Sequence, residues 1–516
     1  MPLKYAIPGA ALSGVLCWLA FAGCDIWPLT FIALAPLIIV IRRQTPKRAA
    51  WLGLLAGTVM NALGFYWLLT MLKVFGGFPW ALCALFALIV CAYQGGRYAM
   101  AAWLTARGIA RGWHGHLVFG FAFVCAELLY PVLFPWYFGA SMHKVPLFLQ
   151  TADIGGPIMV TLVMMGSNIA VAELVLAKLE GRSLDRRALL AGLGLPVVGA
   201  IYGAIRIHQV DALAAASTPV HAGLVQGNLG LMQKRDDPSE ALRRHKRMTA
   251  DLRKKGVEFV VWSESSVTFM VPESSMKSFM RDRIGTSMGI PAIFGGVLYR
   301  VDEDRERWFN TAIATDARGE VQGRYDKHFL LMFGEYLPLG DTFPILYKWS
   351  PNSGKFSAGT DIDPLPIETR GETHPVTTLI CYEDILPGFT NDAVRRGNPE
   401  LIVNITNDAW FGDSSEPWEH LGLAKLRTVE HHRYMVRATN SGVSAIVDPV
   451  GRTIAQTHTF QQETANAVVK YMRMTTIYEL IGDKLWYVAA LVSIYFAYFT
   501  KKKKKSAVGE VGARII

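Results

Sequence analysis

The stretch Val376-Thr-Thr-Leu-Ile-Cys-Tyr-Glu383 has the pattern of a buried β-strand that ends on a reactive side chain. Two other segments share this pattern, Glu258-Phe-Val-Val-Trp-Ser-Glu264 and Gly323-Arg-Tyr-Asp-Lys327. In layered α/β folds, strand ends present reactive groups to a crevice. The three segments therefore predict a layered domain in which a cysteine, a glutamate and a lysine meet.

Further strand-like and helix-like segments surround these three. They are strands at Ala222–Gly227, Ala292–Tyr299, Thr311–Thr315, Leu401–Ile405 and Ser444–Asp448, and helices at about 238–255 and 417–437. Ala292–Tyr299 and Thr311–Thr315 are expected to pair. Strands that alternate with helices, mixed with hairpin-like pairs, favour an α/β layered domain over an all-β one. We expect this domain to cover residues 218–472.

The rest of the chain is strongly apolar. Of 516 residues, 51% are hydrophobic and only 18% are charged, and the mean hydropathy is +0.25. Runs long enough to cross a bilayer, about 20 residues each, are two helices on either side of Asp25–Pro28, then about 50–72, 78–105, 116–140, 155–178 and 188–207, and finally Leu485–Thr500. This predicts a seven-helix bundle over 1–210 and an eighth span within 480–516.

The positive charges between these spans predict their orientation. Every second loop is basic: Arg42, Arg43, Lys47 and Arg48, then Arg107 and Arg111, then Arg182, Arg186 and Arg187. Basic loops stay in the cytoplasm. Both termini are therefore expected in the cytoplasm of a bacterial inner membrane, with the α/β domain on the periplasmic side. The run Lys501–Lys505 is then a topological anchor rather than a nucleic-acid site.

Of the six cysteines, only Cys381 lies in the α/β domain. Taken singly, Cys381 could be a core thiol, Glu264 a helix cap and Lys327 a surface lysine. Together they form a usable set: the lysine lowers the thiol pKa and stabilises an oxyanion, and the carboxylate accepts and returns a proton. We therefore expect Cys381 to be a nucleophile with a lowered pKa.

At these residues the chain resembles the nitrilase superfamily, whose Glu-Lys-Cys set lies on a four-layered αββα domain. The matching stretches are Val261–Ser265, Tyr325–His328 and Ile380–Glu383, with Phe333–Pro338, Asn407–Gly412 and Arg437–Gly442 beyond them. Together with the predicted spans, they are similar to the apolipoprotein N-acyltransferase family. The resemblance implies Glu264 as general base, Lys327 as oxyanion stabiliser, Cys381 as nucleophile, and Glu335, Tyr382 and Glu383 as supporting residues.

The resemblance also implies the substrates. Cys381 would take an acyl chain from a phospholipid, usually phosphatidylethanolamine, and pass it from a thioester to the α-amino group of a lipoprotein's diacylglyceryl-cysteine. Two stretches depart from the family: Ser263 and Ser265 flank the base where Pro and Thr are usual, and Lys234-Arg235 stands where a Lys-Trp pair is common. The second departure concerns contact with lipid and leaves the catalytic set intact.

Several aromatic and ionisable residues have two readings. Phe333, Trp410, Phe411 and Trp418 are either extra core or a rim at the lipid interface that binds substrate. Glu127, within the fifth predicted span, is either functional or paired inside the bundle. The histidines at 420, 431 and 432 lack zinc-site spacing. No metal, no cofactor and no nucleic-acid partner is predicted, and a monomer is expected.

Two other functions fit the same residues. A membrane-tethered amidase would use the three groups with water as the second nucleophile, and a non-catalytic scaffold would use none of them. Eight spans are more than an anchor needs, which favours lipid substrates. Thiol reactivity distinguishes the scaffold, whose Cys381 should react slowly.

Overall fold

The computed structural model describes residues 2–230, 237–285, 288–302, 305–332, 334–337, 339–349 and 354–501. Helices dominate up to residue 216, two β-sheets follow, and a helix ends the described chain. The helices up to residue 216, together with the last helix, form the helical region, and the part between them forms the two-sheet domain.

The helical region is built from apolar helices. They are α1 Leu3–Ala20, α2 Ala35–Ile41, α3 Pro46–Gly64, α4 Trp67–Gly76, α5 Trp80–Ala110, α6 Gly115–Leu129, α7 Pro146–Leu149, α8 Ala152–Glu180 and α9 Arg186–Ala216, with Lys484–Tyr498 at the end. By length and composition, α1, α5, α8 and α9 can each cross a membrane, and α3 with α4, bent by 61°, is a possible fifth span. Shorter apolar helices lie at Trp27–Ile41, Gly115–Leu129 and Lys484–Tyr498. Apolar helices thus occur at all eight predicted positions, and the number of spans stays a prediction.

The span predicted over 116–140 is shorter than expected, since α6 ends at Leu129. Tyr130 is extended, with φ −74° and ψ 121°, and it precedes Pro131, whose ring disfavours helical geometry in the residue before it. From there the chain runs in turns to a short 3₁₀ helix at Phe138–Met142.

Glycines bring the backbones of α3 and α5 together. A Cβ placed on Gly57 would lie 2.6 Å from the Cα of Gly95, and one on Gly95 would lie 2.7 Å from the backbone nitrogen of Thr58. Such close approach is how small residues pack helices in membranes.

The two-sheet domain contains the predicted strands. They are β1 Thr218–Gln226, β2 Phe259–Trp262, β3 Val267–Pro272, β4 Ala292–Asp302, β5 Arg305–Thr315, β6 Val321–Asp326, β7 Leu365–Thr369, β8 Glu372–Ile380, β9 Leu401–Thr406, β10 Met435–Thr439, β11 Ala445–Val447, β12 Thr453–Gln456 and β13 Glu463–Tyr471. The first sheet has the order β13-β1-β2-β4-β5-β6, with β3 beside β4, and the second has the order β12-β11-β10-β9-β8-β7. The predicted β4–β5 pair is confirmed as antiparallel, with Gly296 opposite Thr311.

The later helices are α10 Pro238–Lys254, α11 Met276–Arg283, α12 Ile345–Trp349, α13 Pro387–Gly397, α14 Glu416–His431, α15 Ile477–Ile481 and α16 Lys484–Tyr498. α16 belongs to the helical region, where it packs on α5 and α6. Val261 of the first sheet and Val403 of the second share one buried core, so the sheets face each other. α10 and α11 pack on the first sheet, and α13 and α14 on the second. The result is the expected αββα layering.

The helix predicted over 417–437 is wrong at its end. α14 stops at His431, and His432 takes a left-handed conformation with φ 45°. Residues from Met435 then form β10, which pairs in parallel with β9. Pairing in the sheet therefore overrides the helical pattern of the sequence.

α14 also joins the two parts of the molecule. Its residues Leu423, Leu426 and Val429 belong to the same buried core as Phe21 and Met142 of the helical region. The second sheet is thereby held against the helical region through α14.

Candidate active site

Cys381 follows β8 directly and begins a short 3₁₀ turn that runs to Ile385. Its φ is +52°, a left-handed conformation that is unfavourable for a residue with a Cβ and that often marks functional sites. The amide of Asn404, on neighbouring β9, lies within hydrogen-bonding distance of the carbonyls of Leu379 and Cys381. The turn is thus fixed by the strand beside it.

Lys327 follows β6 and is buried, with 1% of its surface exposed. Its Nζ lies 2.8 Å from Glu335 Oε2 and 3.6 Å from Glu264 Oε1. Burial alone would lower the pKa of Lys327, but the negative charges of Glu335 and Glu264 raise it above its ordinary value. Lys327 is therefore a fixed cation beside the thiol.

Asn310, on β5, is a member of the site that the sequence did not reveal. Its side-chain Nδ2 donates to Glu264 Oε1 at 2.6 Å and to Glu335 Oε1 at 2.8 Å, while its backbone carbonyl accepts from the N–H of Lys327 at 2.8 Å. One amide thus fixes both carboxylates. No motif around Asn310 indicated this role, since the contact depends on the pairing of β5 with β6.

Glu383 holds the lysine and cysteine segments in place. Its Oε1 accepts from the backbone N–H groups of His328 and Phe329 at 2.6 and 3.0 Å. Its Oε2 accepts from the Tyr325 hydroxyl at 2.8 Å and from the Ile380 N–H at 2.7 Å. Burial raises the pKa of Glu383 to about 7, in spite of these donors. The carboxyl group links the residues after Lys327 to those before Cys381.

The expected lowering of the Cys381 pKa is wrong. Burial and the negative charge of Glu264 raise the pKa of the thiol above its ordinary value, and the positive charge of Lys327 opposes them without prevailing. The resting group is a thiol that has an ionic base and a fixed cation near it. This arrangement favours a mechanism in which the Cys381 thiol loses its proton to Glu264 as the sulfur attacks, rather than one that begins from a preformed thiolate.

Cys381 opens into a pocket that lies between the two parts of the molecule. The empty space, including its open mouth, is about 540 Å³. The helical region supplies Phe21, Phe65, Trp67, Phe134, Pro135 and Trp136, and the two-sheet domain supplies Leu331, Tyr382, Ile385, Phe411, Glu416, Glu419, His420 and Leu423. The Tyr382 hydroxyl donates to the Leu133 carbonyl at 2.8 Å. The walls are mainly aromatic and aliphatic, which suits a hydrocarbon chain.

Two family models match the chain. One, described as the apolipoprotein N-acyltransferase N-terminal domain, matches residues 13–170, and the other, carbon-nitrogen hydrolase, matches residues 221–477. The apolipoprotein N-acyltransferase of Geobacter metallireducens is 30% identical over 96% of this chain and 95% of its own length. The chain belongs to the apolipoprotein N-acyltransferase family. It is an acyltransferase with a nitrilase-like domain.

A second relative agrees with this assignment. The apolipoprotein N-acyltransferase of Pseudomonas putida is 29% identical over 91% of this chain and 92% of its own length. Among solved structures, a variant of an amidase from Nesterenkonia sp. AN1 aligns with a TM-score of 0.36 and 19% identity, over 48% of this chain and 92% of the amidase.

Behind the pocket of this acyltransferase lies a buried ionic network. His420 Nε2 lies 2.8 Å from Asp384 Oδ1, and His420 Nδ1 lies 3.1 Å from Asp408 Oδ1. Arg437 pairs with both aspartates. Burial and Arg437 lower the pKa of His420, but the two aspartates outweigh them and raise it to about 10. His420 is therefore an imidazolium.

The network also bears on metal binding. Asp408, Glu416 and His420 offer three ligand atoms within 4.8 Å of one another. A metal would need an unprotonated histidine nitrogen, whereas both nitrogens of His420 face carboxylates. The geometry favours an ion-pair network at this place.

The remaining predicted site residues of the acyltransferase lie in different surroundings. Phe411 lines the pocket, Trp410 is 40% exposed, and Trp418 packs against the core between the sheets. Phe333 and the Lys234-Arg235 pair lie outside the described residues. Glu127 is buried in the helical region, where its Oε1 accepts from the Phe138 N–H at 2.8 Å.

Proposed function

We propose that this acyltransferase moves an acyl chain from a phospholipid, phosphatidylethanolamine by preference, to the α-amino group of a lipoprotein's diacylglyceryl-cysteine. Cys381 carries the chain as a thioester between the two steps. The observation that supports this most is the position of Cys381 at an aromatic pocket walled by the helical region. An acyl chain that leaves a bilayer can enter such a pocket without crossing water.

In the first step, the Cys381 sulfur attacks the ester carbonyl of the phospholipid, and Glu264 accepts the thiol proton. Lys327 stabilises the oxyanion of the tetrahedral intermediate, which is typically one of the largest catalytic contributions. The carbon–oxygen bond then breaks. Glu264 returns the proton to the departing alcohol oxygen, so the products are a lysophospholipid and a thioester.

In the second step, the neutral α-amino group of the acceptor attacks the thioester carbonyl. Lys327 again stabilises the oxyanion, and Glu264 accepts a proton from the attacking nitrogen. The carbon–sulfur bond breaks as the carbon–nitrogen bond forms. The proton passes to the Cys381 sulfur, and the free thiol is restored. Glu335, Tyr382 and Glu383 position these groups through the contacts described above.

We also propose an arrangement of the chain in the membrane. Residues 1–210 form seven spans, 218–472 the catalytic domain on the periplasmic side, and 480–516 an eighth span with a cytoplasmic tail. Basic residues in alternate loops support this orientation. Both termini are then cytoplasmic, and the protein acts as a monomer in the bacterial inner membrane. Phe411, with Trp410, Trp418 and Phe333, contacts the lipid substrates.

Intact mass measurement tests the covalent intermediate. The purified protein is incubated with phosphatidylethanolamine, alongside Cys381→Ala and Cys24→Ala, the latter removing another partly exposed thiol. We expect wild type and Cys24→Ala to gain the mass of one acyl chain, labile to hydroxylamine, and Cys381→Ala to gain none. An adduct on Cys381→Ala would refute the nucleophile assignment.

The same experiment addresses the amidase alternative, which the carbon-nitrogen hydrolase match supports. If wild type forms no adduct with any phospholipid but releases ammonia from simple amides, hydrolysis with water as second nucleophile is the better description.

A further inference from the structure

Two carboxyl groups in the pocket wall have no part in the proposed mechanism. Glu416 and Glu419 lie in the first turn of α14, and both line the pocket into which Cys381 opens. Both are buried, with 8% and 5% of their surfaces exposed. Buried carboxyl groups are costly unless something in the protein or a ligand satisfies them.

Glu416 is incompletely satisfied. Its Oε1 lies 3.8 Å from His420 Nδ1, and its buried Oε2 has no hydrogen-bond partner in the part of the chain that the structure describes. Burial and the charges of Asp408 and Glu419 raise its pKa well above the ordinary value, against His420 and Arg437. The environment of Glu416 therefore favours the uncharged acid, and its Oε2 is a buried polar atom whose hydrogen-bonding capacity the described residues leave unused.

Glu419 is held more firmly. The Ser415 hydroxyl donates to its Oε1 at 2.7 Å, and the Trp67 indole N–H donates to its Oε2 at 3.3 Å. Burial raises the pKa of Glu419 to about 8, although these two donors lower it. Trp67 belongs to the helical region, so this carboxyl group lies where the two parts of the molecule meet.

Aromatic rings complete the surroundings. Trp67 packs against Phe65, Phe134 and Phe411, with ring centroids 5.4, 5.6 and 4.9 Å away, and all four rings line the same pocket. Carboxyl groups next to aromatic rings suit a cation, which gains from both. A phosphate group would instead meet the two acids and would gain nothing from the rings, and His420, the one cation among the described residues of the lining, is already paired with two aspartates.

We propose that Glu416, with Glu419 and the surrounding rings, binds a primary ammonium group of a substrate. On binding of the ammonium, Glu416 releases its proton to solvent, and its carboxylate accepts a hydrogen bond from the ammonium. An acceptor held in this way gives one proton to the Glu416 carboxylate and then attacks as the neutral amine. This inference rests on the proposed acyl transfer, in which two primary amines reach the pocket. One is the ethanolamine headgroup of the donor, and the other is the α-amino group of the acceptor.

The two sources can be separated by donor and by step. Full-length wild type, Glu416→Gln and Glu419→Gln, in nanodiscs, are acylated in single-turnover experiments by phosphatidylethanolamine or by phosphatidylglycerol, which has no ammonium group. Acylation is followed by intact mass. Preformed acyl-enzyme then receives a diacylglyceryl peptide, and loss of the adduct is timed. Glu368→Gln, at an exposed position on β7, is the matched control.

If the headgroup binds, Glu416→Gln slows acylation by phosphatidylethanolamine at least about tenfold and leaves phosphatidylglycerol unaffected. If the acceptor binds, both acylation rates are unchanged and transfer to the peptide slows by a similar factor. Glu419→Gln should act in the same step with a smaller effect, because its carboxyl group already has two donors. Glu368→Gln should match wild type throughout.

Two results for Glu416→Gln would overturn the subsite. One is that the rates of all steps are unchanged. The other is equal slowing of acylation by both donors and of transfer to the peptide, which would indicate a general packing role for Glu416. Thermal unfolding of each variant shows whether the fold is intact. We expect the glutamine variants to fold, because glutamine has nearly the shape of the uncharged acid. If wild type forms the adduct and Glu416→Gln reacts at the wild-type rates, the ammonium subsite is rejected and the proposed transfer stands. Absence of any adduct on wild type rejects the proposed transfer and the subsite with it.

Discussion

Replacing Asn310 by alanine is expected to slow formation of the acyl-enzyme by about 10- to 150-fold. The Asn310 amide bridges Glu264 and Glu335, the two carboxylates that flank Lys327, through hydrogen bonds of 2.6 and 2.8 Å. Alanine removes both bonds, so Glu264 is free to rotate away from the position in which it can accept the thiol proton.

The magnitude follows from the kind of bond. A hydrogen bond to a charged group contributes about 1.5–3 kcal/mol, and about 1.4 kcal/mol corresponds to a tenfold change in rate. Only the part of an interaction that is stronger in the transition state affects the rate of the step. We therefore count the bond to Glu264 for its effect on position, because it holds the base where it can accept the thiol proton, and we do not count the bond to Glu335.

Asn310→Asp gives a second, sharper expectation. Aspartate has nearly the same shape but places a third carboxylate between two others, and like charges at this distance repel. Asn310→Asp should therefore be slower than Asn310→Ala, although it removes fewer atoms. A simple loss of packing predicts the opposite order.

The assay is single-turnover acylation by phosphatidylethanolamine, followed by intact mass. Asn391→Ala is the control, because Asn391 is also a buried asparagine, 4% exposed, on α13 of the same domain. A rate for Asn310→Ala within about threefold of wild type would refute the reasoning, as would a faster Asn310→Asp than Asn310→Ala in folded protein.

Three further outcomes are expected. Glu383→Gln should lower kcat more than it changes KM, because each carboxylate oxygen serves two donors, so two of the four donors lose their acceptor and the cysteine turn shifts; an unchanged kcat would contradict this. The pKa of His420 is about 10 in the folded protein, against 6.5 for the free side chain. The protonated histidine therefore stabilises the fold fully below pH 6.5, and this stabilisation is lost as the pH rises through 10. The thermal unfolding midpoint should fall over that pH range, and it should fall less in His420→Gln. Gly95→Ala should destabilise the helical region by about 1–3 kcal/mol. Gly194→Ala should not, because nothing lies within 4 Å of the added carbon. Equal thermal unfolding midpoints for the two variants would refute the close packing of α3 and α5.

The local pattern of apolar and polar residues was sufficient to predict much of the fold. The strands before Glu264 and Cys381 lie where the apolar runs predicted them, since a buried strand needs apolar side chains on both faces. The strand before Lys327 is also present, but it is mostly polar and only partly buried. The errors occurred at helix ends. α6 stops before a proline, and α14 stops where the chain pairs with β9. The second stop depends on a distant strand, which a window of sequence does not contain.

The sequence by itself determined the layered domain, the apolar helices, and the glutamate, lysine and cysteine at strand ends, because each depends on residues close together in the chain. Only the tertiary structure brought Asn310 to the two carboxylates and Glu383 to both segments. It also raised the pKa of Cys381, since burial and the Glu264 charge depend on the whole fold. The pocket, too, depends on it: Trp67 and Glu419 are 352 residues apart in the chain and meet only when the two parts pack.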